Sequence, residues 1–204
     1  MNGYPIPAAP VRVEHEVSHS RFVASLAPVS TVEDARTYIA SIRTEMPDAS
    51  HHVYAFKVGY KTSVIEGLSD DGEPTGTAGP PIMAVLRGAE LGDAALVVTR
   101  YFGGTKLGTG GLVRAYSDSA RAALAAVVRI EKILRCRVRL TVPYPLYEKV
   151  KMLATEYAAN LDDEKFEGEV TLSLTLPAKA LESFTFSVRD LSAGRVTPIV
   201  LDTV

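Results

Sequence analysis

The sequence predicts an α+β protein with two domains, and three observations support this fold class. Short runs of alternating apolar and polar residues are typical of half-buried strands. A segment beginning near Val32 instead repeats apolar residues at helical spacing, behind a capping-box pattern formed by Ser30 and Glu33. From Arg135 onward, the order strand, helix, strand, strand, helix, strand is typical of a ferredoxin-like βαββαβ domain.

We expect the N-terminal domain to contain residues 1–134. Its predicted elements in chain order are strands 11–17 and 22–29, a helix stopped by Pro47, strands 52–60 and 63–67, a helix 80–91, a strand 94–102 and a helix 112–128. A long loop rich in glycine and proline, 69–81, separates the fourth strand from the second helix. Loops of this length inside a compact domain are usually functional or disordered.

The C-terminal domain, residues 135–204, is predicted to have an open sheet face. Alternation turns Val138 and Leu140 of its first strand toward the helices. The opposite face then presents Arg137, Arg139, Thr171, Ser173 and Thr175. This face suits phosphates, but a solvated or domain-packed face explains the same pattern. Because the face lacks an aromatic platform, it does not favour sequence-specific RNA recognition.

Composition excludes several classes of protein. A net charge of −2 over 204 residues and a pI of about 6.1 argue against a globally basic nucleic-acid coat, so we expect no DNA sequence recognition. Cys136 is the single cysteine, which excludes a disulfide framework and favours a reducing cytoplasm. The N-terminal residues lack the pattern of a secretion signal, and Arg121 interrupts the most apolar helix. We therefore expect no membrane span.

The segment 100–111, RYFGGTKLGTGG, is the first candidate for a binding surface, because glycines precede a predicted helix and can expose its N–H groups to an anion. The predicted site residues are Arg100, Gly103, Gly104, Lys106, Gly108, Gly110, Gly111 and Arg114. A Walker loop is excluded because Lys106 is followed by Leu107, and a dinucleotide fingerprint is weakened by Val113. A tight turn with close packing explains the glycines equally well.

A related motif occurs 32 residues earlier, where Gly76, Thr77 and Gly79 directly precede another predicted helix. Two bare helix starts could open on one cleft, so these three residues join the predicted anion site. Chance and common capping chemistry are the alternative explanation for such a short motif.

Acidic residues and histidines are further candidates for chemistry. Asp70, Asp71 and Glu73 crowd one loop, which suits Mg²⁺ binding or proton transfer, although plain turn chemistry also explains them. His51 and His52 are adjacent in a strand and should point to opposite faces, so we predict that they share no metal. We expect no cofactor and no metal site, and metal binding by the acidic loop is left open. One histidine could still act as a base or phosphate donor in a cleft, whereas a capped or core histidine is commoner.

Four blocks of the sequence resemble the IMPACT family in its bacterial YigZ-type branch. They are SRF at 20–22, HH at 51–52, SDDGEPTGTAG at 69–79 and VVTRYFGGTKLGTGGLVRAY at 97–116. The likeness covers nearly the whole chain and adds Ser20 and Arg21 to the polar candidates for the cleft. It implies an N-terminal domain similar to the second domain of small-subunit ribosomal protein S-five, and a C-terminal domain similar to domains of elongation factor G.

The resemblance also implies a function linked to translation. Eukaryotic members restrain an amino-acid-starvation kinase through an extra N-terminal domain, and only about 20 residues precede the first block here, so we do not expect the kinase role. Our leading hypothesis is a non-enzymatic protein that contacts RNA, the ribosome or a translation factor through the glycine-rich cleft. Two alternatives are an enzyme acting on a phosphorylated or nucleotide-like small molecule, and a protein-interaction module. The oligomeric state is left open.

Overall fold

The computed structural model describes residues 3–61 and 63–203. The strands are β1 (Gly3–Pro7), β2 (Val11–Val17), β3 (Ser20–Pro28), β4 (His51–Tyr60), β5 (Ser63–Ser69), β6 (Ala94–Tyr101), β7 (Arg129–Ile133), β8 (Arg135–Val142), β9 (Asn160–Phe166), β10 (Val170–Pro177) and β11 (Ile199–Thr203). The helices are α1 (Val32–Glu45), α2 (Gly79–Gly88), α3 (Gly108–Ala126), α4 (Tyr144–Glu156) and α5 (Leu181–Leu191). This mixture of helices and antiparallel sheets confirms the predicted α+β class.

The first compact unit, Tyr4–Glu131, is built on a five-stranded antiparallel sheet with strand order β2-β3-β6-β4-β5. Helices α2 and α3 cover one face and α1 covers the other. The central strand β6 is buried on both faces, which explains its nearly continuous apolar sequence AALVV. The unit therefore has two cores, one on each side of this sheet.

The two cores follow from the alternation of side chains along the strands. Phe22 and Leu96 pack with Tyr116 on the face covered by α2 and α3. Val97, the next residue on β6, packs instead with Ile39 of α1. The three inner strands β3, β4 and β6 thus supply residues to both cores in turn.

The start of α1 differs by one residue from the predicted capping box of Ser30 and Glu33. Thr31 has the extended backbone of an N-cap, and its Oγ1 accepts a hydrogen bond from the Asp34 N–H at 3.0 Å. The Asp34 carboxylate accepts the Thr31 N–H at 2.9 Å in return. The prediction was wrong because the pairs Ser30–Glu33 and Thr31–Asp34 have the same spacing, and both have side chains that can form a capping box.

A separate two-stranded sheet of β1 and β7 was not predicted. Pro5 and Pro7 in β1 argue against a strand when the sequence is considered alone. Its pairing partner lies more than a hundred residues along the chain, so no local pattern indicates the pair. None of the helices in the described ranges has the length and apolar run needed to cross a membrane.

The second compact unit contains Gly3 and the described residues from Lys132 onward. Its main sheet is antiparallel with order β11-β8-β10-β9, and α4 and α5 pack on one face around Phe184 and Val188. The βαββαβ order is the one predicted from the sequence. The last strand begins at Ile199, and Val196, before the strand, is a buried core residue.

Candidate functional site

Three side chains form a row near one end of the five-stranded sheet. Arg100 on β6 lies opposite Phe22 on β3 and opposite His51 on β4. Directly opposed residues of antiparallel strands point to the same face of the sheet. Here it is the face covered by α2 and α3, since Phe22 belongs to that core. A cation, an aromatic ring and an imidazole are therefore placed side by side.

Arg100 makes a buried ion pair with Glu73. Its Nη1 lies 2.7 Å from Glu73 Oε1, and the two side chains are only 5% and 4% exposed. Tyr116 on α3 donates its hydroxyl to the same Glu73 oxygen at 2.7 Å. Arg100 Nη2 donates to Ser20 Oγ at 3.3 Å. These contacts tie the 70–78 loop and α3 to the ends of β3 and β6.

The protonation of Tyr116 is determined by this network. Burial, followed by the hydrogen bond to Glu73, raises the pKa of Tyr116 well above its usual range. Tyr116 therefore remains a hydrogen-bond donor at neutral pH. The buried Nε of Arg100 is a donor atom without a hydrogen-bond partner among the described residues.

His51 is oriented by the backbone of the acidic loop. Its Nδ1 lies 2.8 Å from the Asp71 carbonyl oxygen. A carbonyl oxygen only accepts hydrogen bonds, so Nδ1 carries the hydrogen. In the neutral ring, the lone pair is then on Nε2, which lies 3.9 Å from Glu73 Oε1. The imidazole thus directs its basic nitrogen toward the Arg100–Glu73 pair.

A pocket of about 350 Å³ opens beside this network and includes the glycine-rich segment. We call it the α3 pocket. Its lining residues are Glu73, Pro74, Arg100, Phe102, Lys106, Leu107, Gly108, Thr109 and Leu112. No side chain of the described part of the chain caps the N-terminus of α3. The pocket therefore combines two cationic side chains with an uncapped helix start, which is an arrangement suited to an anion.

The glycines of the run differ in their structural roles. Gly103 is required by close packing, since a Cβ there would lie 1.9 Å from the His19 carbonyl oxygen, and its N–H donates to Ser20 Oγ at 3.2 Å. Gly104 and Gly108 have positive φ, whereas Gly110 does not. The turn explanation thus accounts for Gly103, Gly104 and Gly108 but not for Gly110. The anion-binding role of the run stays a prediction.

The start of α2 is already filled by a carboxylate of the chain. Asp70 Oδ1 accepts the N–H groups of Ala78 and Gly79 at 3.0 and 2.8 Å, and its Oδ2 accepts the Gly76 N–H at 2.9 Å. The Thr77 N–H and hydroxyl both donate to the Pro74 carbonyl oxygen. Gly76, Thr77 and Gly79 therefore have no donors left for an external anion, which corrects our expectation of two open helix starts.

Several other predicted cleft residues lie away from the α3 pocket. Asp71 pairs with Arg43, and its Oδ2 accepts the His52 N–H at 2.6 Å, so its carboxylate is structural. Arg21 contacts the ring of Tyr101 and pairs with Glu14, residues that do not line the pocket.

Arg114 also does not line the pocket. Its side chain is 87% exposed and lies 3.9 Å from Asp118, one helical turn further along α3. His52 contacts Thr99 Oγ1 at 3.0 Å through Nδ1, on the strand face opposite His51. Burial, followed by the charge of Arg43, lowers the pKa of His52. The structure thus brings Ser20, His51, Glu73 and Arg100 together but leaves these two residues outside.

The open face of the C-terminal sheet is more acidic than expected. Its predicted residues do lie in register, with Thr171 opposite Thr141, Ser173 opposite Arg139 and Thr175 opposite Arg137. However, Asp202 on β11 forms an ion pair with Arg137, and Asp162 on β9 accepts the Thr175 hydroxyl at 2.6 Å. Our expectation of a cationic face considered only β8 and β10, and the neighbouring strands supply opposing charges.

Six residues important to the site escaped the sequence-based site prediction. Tyr116 on α3 donates a hydrogen bond to Glu73, and five apolar or hydroxyl residues complete the pocket lining: Pro74, Phe102, Leu107, Thr109 and Leu112. Tyr116 follows Leu112 at helical spacing, which places its hydroxyl on an otherwise apolar buried face and could have indicated a buried partner. Within the described ranges, no cluster of three or more histidines, cysteines or acidic residues is placed to hold a metal ion.

Comparison with known families assigns both parts of the chain. Residues 18–124 match the family model described as the Impact N-terminal domain. Residues 140–195 match a domain of unknown function, DUF1949. The first match contains every residue of the α3 pocket and of the Arg100 network.

Full-length relatives show the same similarity. The chain is 37% identical to an IMPACT family member of Haemophilus influenzae, over 99% of this chain and 98% of that protein. It is 36% identical to IMPACT family member YigZ of Escherichia coli, over 99% of this chain and 100% of that protein. A crystal structure of a hypothetical protein matches with a TM-score of 0.79 and 36% identity, over 99% of this chain and 98% of the other.

Proposed function

Because this chain belongs to the IMPACT family, we propose that it is a translation-linked binding protein that contacts RNA through the α3 pocket. The observation that carries the proposal is the meeting of Arg100, Lys106 and the uncapped start of α3 in one pocket. Phosphate groups bind well at such a helix start, because its N–H groups are unpaired and the helix dipole is positive there. We further propose that this contact is made in the cytoplasm, on the ribosome or with a translation factor.

The charge pattern supports local rather than general binding to nucleic acid. The chain carries a net charge of −2, so attraction to a polyanion must come from a local arrangement of cations. Lys106 is exposed in the pocket lining, whereas Arg100 is buried and already paired with Glu73. Lys106 is therefore the side chain expected to make the phosphate contact, and Arg100 organises the wall behind it.

Salt-dependent binding of a single-stranded RNA oligonucleotide to the full chain tests this function. Lys106→Ala should weaken binding and reduce the slope of log K against log salt concentration by roughly 0.7, the value for one phosphate contact on a single strand. Arg114→Ala removes the same charge from an exposed position outside the pocket and is the matched control. Equal losses in the two variants, or unchanged affinity in Lys106→Ala, would contradict the proposal. Co-sedimentation with ribosomes at two salt concentrations then tests whether the RNA contact is made on the ribosome.

A second candidate function is an enzyme acting on a phosphorylated or nucleotide-like small molecule. The orientation of His51 favours it, because a neutral imidazole with its basic Nε2 beside Glu73 and Arg100 is suited to proton transfer. Asp71 does not take part, since its carboxylate is bound to Arg43 and the His52 N–H. His51→Asn should abolish turnover while leaving RNA affinity unchanged, and absence of turnover of nucleotide phosphates by the unaltered chain would reject this candidate.

A further inference from the structure

Phe102 gives the α3 pocket an aromatic wall that phosphate binding does not require. It follows β6 directly, it is 50% exposed, and it lines the pocket. The Arg100 guanidinium lies 5.5 Å from the centroid of its ring. Single exposed apolar residues are ordinary on protein surfaces, but this ring belongs to a concave wall that also contains Leu107 and Leu112. One part of the pocket is therefore suited to a flat apolar group.

The start of α3 contributes hydrogen-bond donors to the same pocket. Gly108 and Thr109 belong to the first turn of α3, and Lys106 is exposed beside them. A Cβ at Gly110 would meet open space, and this residue does not have a positive φ. Neither packing nor backbone conformation accounts for a glycine there, although glycine weakens a helix relative to alanine. Close approach of a ligand to the first turn of α3 would account for it, although Gly110 itself does not line the pocket.

The buried side of the pocket lining, at Arg100, also has an unpaired donor. Arg100 is 4% exposed, and its Nε has no partner in the described ranges although both terminal nitrogens are bonded. Buried polar groups are nearly always satisfied, so each exception calls for a physical explanation. Arg100 lines the pocket, so a ligand there would face the residue that carries this unpaired donor.

We propose that the α3 pocket binds a nucleoside monophosphate unit, with the base stacked on Phe102 and the phosphate at the first turn of α3 beside Lys106. This inference rests on the proposed function and specifies the ligand of the same site. The pocket volume of about 350 Å³ falls within the range of small-molecule sites, roughly 300–1,000 Å³. Aromatic stacking accepts any base, so recognition is of a nucleotide unit rather than of a sequence.

Titration of the isotope-labelled full chain with three probes, followed by amide NMR shifts, tests the inference. The probes are adenosine monophosphate, adenosine and inorganic phosphate, and a single-stranded RNA oligonucleotide provides a fourth arm. We expect adenosine monophosphate to bind more tightly than either part alone and to shift the amide signals of Gly108, Thr109 and Gly110. Binding of the mononucleotide indicates a free nucleotide as ligand, and binding of the oligonucleotide alone indicates a nucleotide within RNA.

Variants separate the base from the phosphate. Phe102→Ala should weaken nucleotide binding about tenfold or more and leave the affinity for inorganic phosphate unchanged. Phe102→Leu, which keeps apolar volume, should lose most of the same affinity. Phe186→Ala removes a more exposed phenylalanine from α5 and should change nothing.

Two results would overturn the inference in different ways. If oligonucleotide and phosphate binding depend on Lys106 but not on Phe102, the nucleotide assignment is wrong and the proposed function stands. If no probe binds, or if binding depends on neither Lys106 nor Phe102, the inference and the proposed function fail together.

Discussion

Two helices of the N-terminal unit have nearly the same four-residue motif near their starts, ending at the first residue of α2 and forming the first four residues of α3, but the surroundings of the two motifs differ. The GTAG motif before α2 surrounds Asp70, whose carboxylate accepts three main-chain N–H groups. The GTGG motif at the start of α3 has no side-chain cap in the described part of the chain and lies in a pocket with Lys106. The position six residues before the first glycine is Asp70 in one case and Phe102 in the other.

This comparison shows that a glycine motif does not by itself define an anion site. The positive end of a helix is satisfied by whichever acceptor lies nearest, and a carboxylate of the same loop competes with any ligand. At α2 the chain supplies the acceptor. At α3 an aromatic ring, Phe102, occupies the corresponding sequence position and offers no acceptor for the N–H groups of the helix start.

The largest expected loss of stability comes from substitution of Glu73, which belongs to the loop before α2 and accepts a hydrogen bond from Tyr116 of α3. Glu73→Leu leaves Arg100 buried without a counterion, which should lower the free energy of unfolding by about 3–5 kcal/mol in urea denaturation. Glu14→Leu breaks an exposed pair with Arg21 and should cost much less. A loss below about 1 kcal/mol would mean that solvent in the α3 pocket already screens Arg100.

The second largest loss of stability should come from removal of the Asp70 carboxylate. Asp70→Ala leaves the N–H groups of Gly76, Ala78 and Gly79 without their acceptor and should cost about 1–3 kcal/mol in the same measurement. Asp70→Asn keeps an acceptor oxygen and should cost less. Equal stability of the alanine variant and the unaltered chain would show that the two helix starts do not differ energetically.

The glycines of the two motifs should respond to alanine with opposite signs. Gly76 has a φ of +80°, so Gly76→Ala should destabilise the chain by about 1–2 kcal/mol. Gly110→Ala meets open space and should stabilise α3 by up to about 1 kcal/mol while weakening RNA binding. Thermal unfolding and binding are both measured, and Gly88→Ala in α2 is the matched control, since a Cβ there also meets open space. A Gly110→Ala variant that gains stability without losing affinity would argue against ligand approach to this turn.

The smallest expected effect is a pH dependence of the unfolding free energy that comes from His52. This residue lies on the opposite face of the sheet from His51, and its backbone N–H donates to Asp71. Burial lowers the pKa of His52 from its usual value of 6.5, so below about pH 6.5 the unfolded chain binds a proton that the native chain does not. This contribution to stability is therefore present above pH 6.5 and decreases as the pH falls. His52→Asn should flatten the dependence of unfolding free energy on pH between 5 and 7 relative to the unaltered chain. A slope that is the same in both chains would contradict the assignment to His52.

Much of the fold could be predicted because it depends on local patterns. Alternation indicates the strands of both units, and the βαββαβ order is visible from the spacing of apolar residues. The pair of β1 and β7 was missed because its strands are far apart in sequence and because Pro5 and Pro7 in β1 are unfavourable for a strand. The capping box of α1 was displaced by one residue because two overlapping patterns satisfy the same rule.

The candidate site could be predicted only in part. Arg100, Lys106, Ser20, His51 and Glu73 were singled out, but their arrangement depends on pairing between strands that are distant in sequence. Phe102 was missed because an aromatic residue at a strand end is usually a packing residue. The open face of the C-terminal sheet was judged too basic because β9 and β11 were left out of the estimate of its charge.

The sequence by itself determined the α+β class, most of the helices and strands, the resemblance to the IMPACT family and the residue types of the glycine-rich segment. Those features depend on spacing along the chain, which is a local property. The tertiary structure decided which helix start is free, because only three-dimensional packing brings the Asp70 carboxylate to α2 and leaves α3 beside Phe102 and Lys106. It also decided the partner of Arg100, because Glu73 reaches the end of β6 from a loop 27 residues away in sequence.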